Sequence, residues 1–87
     1  MALTRPQWPH TVDDIVKALD GVWGVVGATS TTGNLLRLER SLKMPVTYVL
    51  IEYQGQNEAK PVRESKYDAE QKDVAVREFA SLLGFDS

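Results

Sequence analysis

The chain contains no cysteine and a single histidine among its 87 residues. Without thiols there is neither a disulfide framework nor a thiolate metal site, so the fold must hold by packing alone, which suits a reducing compartment. Long apolar runs are missing as well. The longest apolar or glycine stretch, GVWGVVGA at 21–28, is far short of the roughly 20 residues that cross a bilayer. The opening MALTRPQWPH lacks the apolar centre of a secretion signal. These absences lead to the expectation of a cytoplasmic protein with no membrane partner. Charge of one sign is not in excess either. Ten Lys and Arg against twelve Asp and Glu give a net charge of −2 and a pI near 5.3, which argues against non-specific binding of phosphate backbones as the main task.

What is present is the composition of a globular domain, 43% apolar and 25% charged, rather than of a disordered tail. The length allows one modest core burying roughly 60% of the unfolded surface. A starting Met and a final helix that stops close to the last residue favour a free-standing domain over 1–87, with 1–10 as an extended lead-in shaped by Pro6 and Pro9.

Two segments read as helices. In 11–21, Val12, Ile15, Val16 and Leu19 share one helical face, Thr11 stands at the N-cap, and Asp13 and Asp14 occupy the first turn, where the helix dipole favours acids. Gly21 is expected to close this helix in the left-handed conformation. In 68–85, Ala75, Val76, Phe79, Ala80, Leu82 and Leu83 build an apolar stripe. Asp68 and Gln71 are spaced as a capping box, and Gly84 followed by Phe85 marks the stop.

Between them the pattern is that of strands. VTYVLIEYQ at 46–54 is dense in β-branched and aromatic residues and reads as a central strand covered on both faces. LLRLER at 35–40 fits a strand or a helix. Its context decides, because Gly24 and Gly27 each disfavour a helix by about 1 kcal/mol relative to Ala. TTGN then becomes a hairpin turn, SLKMP a second turn, and 58–67 an edge strand where Pro61 is tolerated. The predicted fold is a two-layer α+β domain: an N-terminal helix, three or four antiparallel strands, and a C-terminal helix. Trp23, Tyr48, Phe79 and Leu83 are expected in the core, and Trp8 is available to fold back onto it.

The alternative fold is an all-α helix-turn-helix domain. From Leu19 to Pro45 the chain is weakly similar to the helix-turn-helix segment of phage Cro-like repressors. That resemblance implies helices at 22–28 and 32–41, with Thr32, Asn34, Arg37 and Arg40 as DNA contacts. The packing positions of that motif fall on Val26, Thr29, Ser30 and Thr31, which depart from the residue types it uses. The segment ESKYDAEQKDVAVREFASLLG resembles the closing strand and helix of double-stranded-RNA-binding domains, but Asp68, Glu70 and Asp73 interrupt the cations that family places there. A third reading, a phosphate-binding loop in GATSTTGN, lacks the lysine that such loops require after the last glycine.

Catalytic signals are scarce. His10 with Asp13 or Asp14 offers a base without a nucleophile at compatible spacing. The acid pairs Asp13/Asp14 and Asp68/Glu70 are accounted for by helix starts. No enzyme, cofactor or metal is expected. The expected function is a small non-enzymatic regulatory or interaction protein that binds another protein or itself, a homodimer included. Trp8, Tyr53 and Tyr67 are candidate anchors, and the edge at 58–67 offers unpaired backbone. The alternative is a nucleic-acid-binding regulator contacting its ligand through Arg37, Arg40, Lys43 and Lys66.

Overall fold

The computed structural model describes Pro9 and residues 11–41 and 43–85. The chain runs α1 (Val12–Asp20), β1 (Val25–Thr29), β2 (Leu35–Arg40), β3 (Thr47–Gln54), β4 (Asn57–Asp68), a 3-10 turn (Ala69–Gln71) and α2 (Lys72–Leu82). The four strands form one antiparallel meander in the order β1-β2-β3-β4, with a helix before and a helix after it. This is the expected α+β architecture. The helix-turn-helix alternative is overturned: Val25–Thr29 and Leu35–Arg40 are paired strands, with Val25 opposite Glu39 and Thr29 opposite Leu35. Gly33, at φ 87°, supplies the turn between them. The fourth strand also departs from the three-stranded order of double-stranded-RNA-binding domains.

Local capping fixes where the helices begin. The Thr11 hydroxyl accepts the Asp14 N–H (3.2 Å) and the Asp14 carboxylate accepts the Thr11 N–H (3.3 Å), a reciprocal box that satisfies two donors at the start of α1. At the other helix the Asp68 N–H donates to Gln71 Oε1 (3.1 Å), and one 3-10 turn precedes α2. The helix therefore begins at Lys72, later than the periodicity implies. Gly84, at φ 83°, ends it, and the Phe85 N–H donates to the Ala80 carbonyl (3.0 Å). Gly21 is not left-handed. It is extended at φ −75°, and the positive φ (61°) occurs at Gly24 instead.

Both helices pack on one face of the sheet. Side chains alternate along each strand, so the register Val26–Leu38–Leu50 sends one row toward the helices, with Leu36 and Tyr48 beside it. These residues, Ile15 and Leu19 from α1, and Val76 and Phe79 from α2 form the core. Tyr48 and Phe79 are buried as expected, and Leu83 packs against the core while partly exposed. Two expectations are corrected. Strand β3 is covered by helices on one face only, which leaves Val49 and Ile51 half-buried on the open face. Trp23 is not in the core: it is 83% exposed. The strand starts only at Val25, so Val22 and Trp23 fall in the α1–β1 loop, just before the positive-φ turn at Gly24.

Candidate functional site

Among the described residues, three large apolar side chains stand almost fully in solvent: Val22 (86%), Trp23 (83%) and Met44 (85%). Val22 and Trp23 lie in the α1–β1 loop and Met44 in the β2–β3 loop. Both loops leave the same end of the sheet, because Gly24 opposes Arg40 and Ser41 opposes Thr47 across the ladder. Hydrogen bonds hold each loop. The Arg40 N–H donates to the Gly24 carbonyl (2.7 Å), and Arg40 Nη2 donates to the Gly21 carbonyl (3.0 Å) at the C-terminal end of α1. A cation at that end complements the helix dipole. In the neighbouring loop, Ser41 Oγ accepts the Lys43 N–H (3.2 Å) and donates to the Lys43 carbonyl (3.1 Å). The result is an apolar rim on braced loops, with exposed Lys43 beside it.

The residues singled out from sequence are distributed elsewhere. Tyr53 is 8% exposed, and Tyr67 is half-buried against the core, so neither stands free as Trp23 does. Trp8 and His10 lie outside the described residues. The four cations do not converge. Arg37 is engaged by Glu39 (3.1 Å) and Glu58 (3.7 Å), and Arg40 is turned inward onto Gly21. Lys43 sits on the β2–β3 loop, whereas Lys66 lies on the open face of β4. Across that face run the rows Glu39–Val49–Lys66 and Arg37–Ile51–Glu64, each holding one acid and one base. Such a checkerboard offers no concentrated positive field to a phosphate backbone.

At the opposite end of the sheet a polar cluster serves the fold. Asn34 Nδ2 donates to Glu52 Oε2 (2.7 Å), while Asn34 Oδ1 accepts the Gly55 N–H (3.0 Å) and so pins the β3–β4 turn to the β1–β2 turn. Arg63 completes the arrangement, 3.4 Å from Glu52 and 4.0 Å from Glu78. Sequence reading missed this group, since only the register brings Leu36, Glu52 and Arg63 into one row. Between α1 and α2 a shallow cleft of about 380 Å³ is lined by Val12, Val74, Arg77, Glu78, Ala80, Ser81 and Phe85. Among the described residues that line it, none is a histidine that could activate Ser81.

Compared with family models, curated proteins and solved structures, the chain matches none. Among the described residues no group of three or more His, Cys, Asp or Glu side chains is placed to hold a metal ion. No helix among them is long and apolar enough to cross a membrane. Among the described residues, the apolar rim holds the most exposed large hydrophobic side chains.

Proposed function

We propose that the chain is a non-enzymatic protein-interaction domain that engages another protein through the rim formed by Val22, Trp23 and Met44. The observation that carries this reading is Trp23 at 83% exposure, beside Val22 on a loop that Arg40 braces at two points. An exposed Trp costs solubility, and nothing in the core gains from it. Tryptophan is also the residue most often found dominating an interface, where its large apolar body is buried and its N–H finds a partner. Bracing the loop lowers the entropy lost on docking. Scattered single apolar residues are ordinary on a surface, and three on loops at one end of a sheet are what an interface anchored by Trp23 would use.

The test is a photo-crosslinking amino acid placed at position 23 and, as a control, at exposed position 60, in cells that express the protein. The expected result is a discrete adduct specific to position 23. The adducted protein, once purified, should bind the wild-type chain and lose at least roughly tenfold in affinity for Trp23→Ser, the cost of one anchor residue. Adducts identical at the two positions, or binding indifferent to Trp23→Ser, would overturn the reading.

A further inference from the structure

We infer that β4 pairs with β4 of a second copy of this chain, antiparallel and centred on Ser65, joining two four-stranded sheets into one. This surface is separate from the Trp23 rim and goes beyond the function proposed for it.

The backbone geometry selects the segment. The Ser41 N–H donates to the Thr47 carbonyl (2.8 Å), so odd-numbered residues of β3 direct their backbone groups toward β2 and even-numbered ones toward β4. Through the pairs Tyr48–Tyr67, Leu50–Ser65 and Glu52–Arg63, odd residues of β4 bond to β3. Glu64 and Lys66 therefore present N–H and C=O groups on the outer edge. Among the described residues no further backbone bond reaches them. On the N-terminal side, the register shift at Glu52/Tyr53 and Pro61, which has no N–H, end the regular ladder. On the C-terminal side, the Asp68 N–H is taken by Gln71. A bulge, a proline and exposed charges are devices that protect an edge from indiscriminate pairing. Here they leave one short window open.

Charge then selects the register. A two-fold axis at Glu64 would set Glu64 against its own copy, and one at Lys66 would set Lys66 against Lys66 and Glu64 against Asp68. An axis at Ser65 places Glu64 opposite Lys66 of the second copy, twice, with four backbone hydrogen bonds between them. Glu64 and Lys66 are both exposed, and neither has an ion-pair partner among the described residues. Opposite charges on directly facing residues favour pairing, and like charges oppose it. Ser65, small and on the helix side, falls at the close central pair, where a bulky residue would collide. The axis runs through the sheet, so all four helices lie on one side of the joined sheet.

The test is sedimentation of the full chain across a concentration series reaching millimolar. A dimer is expected, together with slowed hydrogen exchange at the Glu64 and Lys66 amides as it forms. Lys66→Glu should weaken the dimer on the order of tenfold or more, by setting acid against acid at both pairs. The double swap Glu64→Lys with Lys66→Glu should restore it, with circular dichroism confirming that each variant is folded. Trp23→Ser should leave it unchanged. A wild-type chain that stays monomeric throughout, a dimer indifferent to Lys66→Glu, or a double swap that fails to recover would each overturn the proposal. So would loss of the dimer in Trp23→Ser alone.

Discussion

The side chain of Arg40 occupies the space beside Gly24: a Cβ built on that glycine would lie 3.2 Å from Arg40 Nε and 3.3 Å from Arg40 Cβ. With φ at +61°, position 24 is doubly restricted, by backbone and by neighbour. Gly24→Val should cost about 1–3 kcal/mol in urea unfolding, the range for a side chain forced into a sparsely populated backbone region. Gly33→Val, where φ is +87° and a Cβ would meet nothing within 4 Å, should show the backbone strain without the collision.

Trp23→Ser should change unfolding free energy by no more than about 0.5 kcal/mol, as an exposed substitution does. A tryptophan in the core would cost about 3–5 kcal/mol instead. Chemical denaturation separates the two outcomes directly.

Phe79→Ala is the contrasting case. Phe79 is 0% exposed, where α2 meets the sheet, and its truncation should cost about 3–5 kcal/mol, a large share of what a domain of this size possesses. A midpoint shift in urea at unchanged slope is the expected signature.

Asn34→Ala removes one bond to the Glu52 carboxylate and one from the Gly55 N–H, leaving both groups without that partner. The expected loss is about 1–3 kcal/mol. Amide exchange at Gly55 should accelerate, since that N–H is the donor set free.

Lys17 titrates above its ordinary 10.5 because it is hydrogen-bonded to Asp13 at 3.0 Å and attracted by that carboxylate. A raised folded-state value means that the contribution is complete below 10.5 and fades as pH rises through the higher folded value. The pair is solvent-exposed, so the effect is small and screened by salt. Comparing Lys17→Met with wild type across alkaline pH at low ionic strength should show the difference between them vanish at the top of the range.

Much of the fold was legible because local chemistry dictated it. The Thr11 and Asp68 caps, the stop at Gly84, the turn at Gly33 and the β-branched run at 46–54 each act through neighbours in sequence, where residue type and spacing carry the physics. The exposure of Trp23 has the opposite origin. A tryptophan between Val22 and Gly24 reads as core from composition, yet it is 83% exposed because β1 begins only at Val25, a limit set by pairing with β2 rather than by neighbours in sequence.

Capping, periodicity and glycine conformation act over short range, and they dictate an α+β fold with one helix before the strands and one after them. Which side chains and which strand edge stay exposed was decided by long-range pairing. Register turned Arg37 and Lys66 into members of a balanced checkerboard and set Glu64 and Lys66 on a free edge. Strand pairing brought two loops together around an exposed tryptophan, and no short-range rule specifies partners so far apart along the chain.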